Sequence, residues 1–435
     1  MTDIQIGFAG IGLLLTLIAM RVPIGVALIG VSFGGIWILV GERAAFGSLG
    51  IIPYSMTATW QLSSVPMFLL MGFFCFHAGL TKGLFDAARV WLSALPGGLA
   101  IASIFGAAGF AAVTGSSVAC AAAMGRIAVP EMLRQKYDVS LATGTVAAAG
   151  TIGALIPPSI LMIMYGIIAE VPINQLFLGG IGAGLLTAFG YVTVVMVRAT
   201  LNPALAPRLE ERASMADRLR ALREIWPVLL LVFGVFGGLF GGFFTPTEAG
   251  AVGAFMSMAI AALKRTLTLT NFRAALMETL LTSGALFIIA VGASLLTRFL
   301  AFSGAGDYLS EFVVAMGANE IILLIGISLI YLVLGMFLEP LGAMLLTLPI
   351  LLPIIESTDY SLVWFGVVLT KFLEIGMITP PIGLNVFVIK GVVGDVASTS
   401  TIFRGILWFL LADLVVVTLL IVFPDIALFL PRVLG

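Results

Sequence analysis

The chain has 435 residues, 61% hydrophobic and 10% charged, with a mean hydropathy of +1.19 and a formal net charge of −1. Soluble domains carry roughly 25% charged residues, so this composition excludes a protein folded mainly in water. The net charge also argues against a nucleic-acid partner, because no basic stripe is present to displace counterions from a phosphate backbone.

A membrane span needs about 20 apolar residues. Such stretches follow one another from the first residues almost to the last. Ile4 to Met20 has no basic residues ahead of its apolar run and no small-residue cleavage pattern, and it reads as a span, not a removable leader. Val22 to Val40 and Leu62 to Leu80 follow; the second holds His77, the only histidine, whose aromatic neighbours favour a structural role over a proton relay. Leu99 to Val129 contains the polar turn TGSSVACAA, Thr114 to Ala122, and Leu141 to Ala169 contains GTIGALIPPSI, Gly150 to Ile160. Asn174 to Arg198 leads into the longest polar stretch, Arg198 to Glu224, with Arg208, Arg212, Arg218, Arg220 and Arg223. Next come Trp226 to Phe244 and Glu248 to Leu263; in the first, Gly234, Gly238 and Gly242 make a small-residue packing ridge. A second basic loop with Lys264, Arg265 and Arg273 precedes Leu276 to Leu300. Glu320 to Ile355 contains GMFLEPLGAM, Gly335 to Met344; Ser361 to Lys390 contains EIGMITPPIGLN, Glu374 to Asn385; Phe403 to Phe423 is the last span. Cys75 and Cys120 lie inside apolar stretches without metal-type spacing and read as packing residues.

By the positive-inside rule both basic loops are cytoplasmic. Counting spans outward from them puts Glu170 and the Glu356 to Asp359 turn outside, the Arg126, Arg134, Lys136 group inside, and both chain ends outside.

Displacing the sequence against itself by 223 positions pairs Pro23 with Pro246, Gly30 with Gly253, Pro130 with Pro353, Tyr137 with Tyr360, Gly153 with Gly376, and Pro157 and Pro158 with Pro380 and Pro381. If the two segments with polar turns enter and leave by one side, each repeat makes an odd number of crossings and the second copy is inverted. The charges at the two hairpin mouths agree, since the first is basic (Arg126, Arg134, Lys136) and the second acidic (Glu356, Asp359). The expected fold is an all-α polytopic membrane protein with two inverted repeats, 1–223 and 224–435. Each contains a re-entrant hairpin (about 99–134 and 319–356) and a Pro-Pro interrupted helix (about 141–169 and 361–390), an architecture of secondary transporters.

Proline has no N–H for the carbonyl four residues back. The double prolines are therefore expected to free the carbonyls of Gly153 and Ala154 in the first copy, and of Gly376 and Met377 in the second. In hydrocarbon a freed carbonyl must find a partner, either a neighbouring hydroxyl or water at a simple kink, or a dehydrated cation. Ser116 and Glu339 occupy matching positions in the two polar turns, so each turn can offer hard oxygens to its own broken helix. Arg298, Lys371, Glu374, Lys390 and Asp413 are further intramembrane charges that can line a path or snorkel, and Lys371 can pair with Glu374 one turn away. No Walker sequence occurs, so ATP hydrolysis is not expected of this chain.

With these motifs in view, the chain resembles the large membrane subunit, DctM type, of a tripartite ATP-independent periplasmic (TRAP) transporter over essentially its whole length. The resemblance rests on TGSSVACAA with GRIAVPEM (Gly125 to Met132), GTIGALIPPSI, FTPTEAGAVGA (Phe244 to Ala254) and TPPIGLN (Thr379 to Asn385) taken together. It implies an elevator-type secondary transporter of the bacterial inner membrane, driven by sodium and without an organic cofactor. It also implies two partners: a small four-helix membrane subunit on a separate chain, and a periplasmic binding protein that delivers an organic acid. Carried onto this chain, it places one sodium ion between Ser116 and Ser117 and the break from Gly150 through Gly153 to Pro157. A second would lie between Gly335 and Glu339 and the break holding Gly376, Thr379 and Pro380. Substrate would sit between the turns, near Thr114, Ser159 and Asn385, with Arg298 a candidate along the path. Two other readings compete: a stand-alone symporter that needs no binding protein, and an intramembrane enzyme or channel. The last finds no nucleophile with a base and no metal-ligand cluster in the sequence.

Overall fold

The computed structural model describes residues 1–207, 214–306, 308–309, 311 and 320–435. Arg208 and Arg212 of the basic stretch, and position 319 at the expected start of the second hairpin, lie outside the described residues.

All regular structure among the described residues is helical. The first half contains α1 (Asp3–Ala19), α2 (Ile24–Val40), α3 (Glu42–Thr57), α4 (Ser64–His77), α5 (Lys82–Leu92), α6 (Gly98–Thr114), α7 (Ser117–Arg134), α8 (Val139–Gly150), α9 (Ile160–Ile168) and α10 (Ile173–Leu201). The second contains α11 (Met215–Glu224), α12 (Trp226–Phe240), α13 (Pro246–Leu263), α14 (Leu269–Ser303), α15 (Glu320–Phe337), α16 (Pro340–Glu356), α17 (Leu362–Gly376), α18 (Leu384–Val393), α19 (Thr399–Val422) and α20 (Asp425–Leu434).

Local signals set several starts. Thr245 and Glu248 close a reciprocal capping box ahead of α13, with Pro246 at the first helical position, where a missing N–H costs nothing. Asp138 caps α8 by accepting the Leu141 N–H at 3.0 Å. Tyr137, just before it, accepts the Leu99 N–H at 3.3 Å and so ties the mouth of the first hairpin together.

Among the described residues, five helices are individually long and apolar enough to cross a membrane, and α11 with α12 forms a pair bent by 52°. The apolar segments of the sequence do not include α3, α5, α11 or α20. These helices carry polar or charged residues such as Glu42, Arg43, Asp86, Arg89, Asp217 and Arg432, which lower their hydropathy below that of a span. Conversely, the segment Leu276 to Leu300 is the inner part of the 35-residue α14. At 1.5 Å per residue that helix is about 50 Å long, well beyond a hydrocarbon core of about 30 Å.

Helix boundaries recur at the displacement of 223 residues. Thr114 and Ser117, which flank the first turn, fall on Phe337 and Pro340, which flank the second; Val139, the start of α8, falls on Leu362, the start of α17; Asp3 falls on Trp226, the start of α12. The halves also interlock. α2 packs on α14 and α4 on α13, while α8 packs on α19 and α10 on α17, each pair taking one helix from either half. Lipid gives helices no hydrophobic reason to associate, so close fit matters. At the α8–α19 crossing a methyl on Gly144 would stand 2.6 Å from the Gly405 carbonyl carbon, which shows how tightly these backbones meet.

Candidate functional site

The two polar turns are two-residue tips. In the first, Gly115 takes φ +63°, a left-handed conformation that costs glycine little, and Ser116 turns extended so that its hydroxyl accepts the Ala119 N–H at 3.4 Å and caps α7. In the second, Glu339 occupies the corresponding cap of α16 with Pro340 behind it, and its carboxylate makes no capping bond. A carboxylate at a helix N-terminus that is not used as a cap is free to serve another partner.

Each broken helix stops short of its prolines. α8 ends at Gly150, a tight turn covers Thr151–Ala154, and α9 begins at Ile160, capped by the Ser159 hydroxyl. α17 ends at Gly376 and α18 begins at Leu384 after Gly383 at φ +58°. Both Pro-Pro bonds, Pro157–Pro158 and Pro380–Pro381, are cis. The two breaks treat their carbonyls differently. No backbone N–H among the described residues reaches the carbonyls of Gly153 or Ala154, as expected from the prolines. In the second break, however, the Thr379 N–H reaches the Gly376 carbonyl at 3.1 Å and the Asn385 N–H reaches that of Met377 at 3.0 Å. The expectation that Gly376 and Met377 are left free is thereby corrected. The chain after Pro381 folds back and returns a donor that the proline removed.

The first tip lies against its own break, and in the second copy the last turn of α15, just before the tip, does so. A methyl on Gly153 would stand 2.9 Å from the Ser116 carbonyl oxygen and 3.0 Å from Ser117 Cα. A methyl on Gly376 would stand 2.6 Å from Gly335 Cα. Glycine at these matched positions is what permits the backbones to touch. Between the two tips lies a chamber of about 60 Å³, lined by Ser116, Ser117, Ala154, Glu339 and Glu374. Beside it opens a cavity of about 330 Å³ with Thr114, Ser116, Glu339, Glu278, Thr282 and Phe73 on its walls.

Other expected site residues are distributed less simply. Ser159 is buried as the cap of α9, and the Thr379 hydroxyl donates to the Ile375 carbonyl at 2.7 Å. Asn385 is buried against the first broken helix, its amide donating to the Ala147 carbonyl at 3.4 Å and lying 3.2 Å from where a Gly150 methyl would be. Arg298 lies apart, exposed on α14 over the Phe302 ring at 5.8 Å. Lys390 donates to the Gly394 carbonyl at 2.6 Å near the end of α18. His77 Nε2 stands 3.2 Å from Glu278 Oε1.

The pairing of Lys371 with Glu374 is not formed. Lys371 Nζ instead meets Asp413 Oδ1 at 2.5 Å, both side chains fully buried. The Tyr191 hydroxyl donates to the same carboxylate at 2.9 and 3.0 Å and lies 3.0 Å from the Thr151 hydroxyl. Glu374 is left fully buried without an ion-pair partner among the described residues, the Ser117 hydroxyl lying beside it. Sequence reasoning missed Tyr191 and Thr151 altogether. A signal existed for Asp413, the only acidic residue in Phe403 to Phe423, since one buried lysine cannot satisfy two buried carboxylates.

An all-helical membrane protein with several apolar spans, a bent helix pair and two interrupted helices meeting polar turns has an architecture found among secondary transporters. More specifically, this chain belongs to the family of the DctM component of tripartite ATP-independent periplasmic transporters, whose family model matches residues 11–426. It is 35% identical to the C4-dicarboxylate TRAP transporter large permease protein DctM of Pseudomonas aeruginosa over 408 residues, covering 92% of this chain and 93% of that one. It is 31% identical to the sialic acid TRAP transporter large permease protein SiaM of Vibrio cholerae, covering 86% of each. In fold it resembles the Alcanivorax borkumensis YdaH transporter, with a TM-score of 0.61 at 14% identity, over 89% of this chain and 90% of that one.

Proposed function

We propose that this chain is the large permease subunit of a sodium-coupled importer of a small organic anion, working by an elevator mechanism in the bacterial inner membrane. The observation that carries the reading is the doubled contact of hairpin and break, Gly153 on Ser116 and Ser117, and Gly376 on Gly335 at the end of α15. In this reading residues 1–223 and 224–435 are inverted repeats, and both chain ends are periplasmic. Hairpins α6–α7 and α15–α16 with the broken helices α8–α9 and α17–α18 form the moving domain, and the remaining helices form the scaffold. One sodium ion binds where Ser116 and Ser117 meet the open carbonyls of Gly153 and Ala154. A second binds where Glu339 and Gly335 meet the Gly376 to Pro381 break. Hydroxyl, carboxylate and carbonyl oxygens suit a hard cation.

The anion occupies the cavity of about 330 Å³, a volume suited to a small organic acid, with Thr114 on its wall. Relatives named for C4-dicarboxylates and for sialic acid support a carboxylate as the recognised group. The family's tripartite organisation supports a small membrane subunit and a periplasmic binding protein as partners. The test is reconstitution with both partners in vesicles. A sodium gradient is expected to drive uptake; uptake that follows a proton gradient and ignores sodium would overturn the coupling.

A further inference from the structure

The chamber between the tips contains a carboxylate that neither sodium position above employs. Glu374 is fully buried and has no ion-pair partner among the described residues. It lines the chamber with Ser117 from the first tip and Glu339 from the second, and the Ser117 hydroxyl lies beside it. Lys371, one turn earlier on the same helix, is engaged by Asp413 at 2.5 Å. A carboxyl buried without a charged partner is costly to ionise, and a cation beside it lowers that cost. A positive charge brought in from outside would relieve it.

We propose that Glu374 joins Ser117 and Glu339, each shared with one of the two sodium positions above, in a further site for a hard monovalent cation that bridges the two tips. The chamber of about 60 Å³ is too small for an organic acid but has room for an ion and a few waters. The donors are oxygens from both halves of the chain, so an ion held here links the tips to each other as well as to their own breaks. Glu339 also lines the larger cavity, so an ion held here stands next to the proposed anion. A cation held beside Glu339 would add positive charge to the wall shared with the larger cavity and so favour an anion there. Filling this site is therefore expected to precede and favour anion binding in the larger cavity. The inference rests on the sodium-coupled reading and adds to it a third ion position and an order of binding.

The test uses the purified full chain in nanodiscs without substrate, titrated with sodium, lithium or potassium chloride at constant ionic strength and followed by calorimetry and thermal unfolding. The native chain is expected to saturate with sodium. Glu374→Gln keeps the shape and removes the charge, and it is expected to raise the half-saturating sodium concentration at least about tenfold. A folded Glu374→Gln chain with native sodium half-saturation overturns the site while leaving the sodium positions at each tip and break standing. Should Glu374→Gln not fold, Glu374→Asp decides: a changed preference between lithium and sodium supports the site, and an unchanged one overturns it. A native chain indifferent to all three cations overturns both this site and the sodium-coupled reading.

Discussion

Lys371 and Asp413 form a fully buried ion pair, Nζ to Oδ1 at 2.5 Å, between a helix that ends in the second break and the last long span. Tyr191 extends the pair across α10 to Thr151, the first residue of the turn inside the first break. The two breaks are thus joined by four side chains from four segments, in a low-dielectric setting where removing one partner leaves the others uncompensated.

Asp413→Asn is expected to strand Lys371 and lower stability by about 3–5 kcal/mol, read as a fall in the thermal midpoint of the purified chain. The double variant Lys371→Met with Asp413→Leu removes both charges at similar volume and is expected to regain most of that loss. A double variant as unstable as the single one would show that the pair is not the source.

Gly376→Ala places a methyl 2.6 Å from Gly335 Cα, a backbone atom that cannot swing aside. Its expected cost is about 1–3 kcal/mol of stability, together with a loss of sodium-driven uptake. Gly284→Ala, with nothing within 4 Å of the added methyl, serves as the control and is expected to be neutral or slightly stabilising. Equal effects of the two would remove the argument from tip-to-break contact.

The prolines of the two breaks are expected to differ in their effect on sodium. Pro157→Ala with Pro158→Ala restores N–H donors to a break whose Gly153 and Ala154 carbonyls are open, so the half-saturating sodium concentration should rise several-fold, on the scale of one hydrogen bond. Pro380→Ala with Pro381→Ala acts on carbonyls already bonded to Thr379 and Asn385, and a smaller rise is expected. Sodium titrations of the two double variants measure the difference directly.

Orientation is open to labelling. Cys75 and Cys120 are fully buried and should stay silent toward a membrane-impermeant maleimide. A cysteine at the exposed Glu170 should react from the periplasmic side, and one at the exposed Arg220 only after the membrane is opened. The reverse pattern would invert the assigned topology.

Much of the architecture was legible in the sequence because lipid is a demanding solvent. Every backbone polar group must be satisfied within a span, so a double proline or a polar turn such as TGSS stands out against an apolar background. The tips, the breaks and the 223-residue displacement were read in that way, and the helix boundaries at Thr114, Ser117, Phe337 and Pro340 follow them. The amphipathic helices α5 and α11 were not, since their charged faces lower the hydropathy that marks a span.

The interrupted helices are thus a property of the sequence alone: proline removes a donor wherever it stands, whatever surrounds it. Which carbonyls remain open, and which carboxylate keeps a partner, depends on groups far apart along the chain. Lys371 lies one turn from Glu374 yet bonds Asp413, 42 residues away, because α19 brings a second carboxylate and Tyr191 brings the hydroxyl that holds it. One lysine between two buried carboxylates leaves one of them unpaired, and only the packing of the helices decided that it is Glu374, in the chamber where the tips meet.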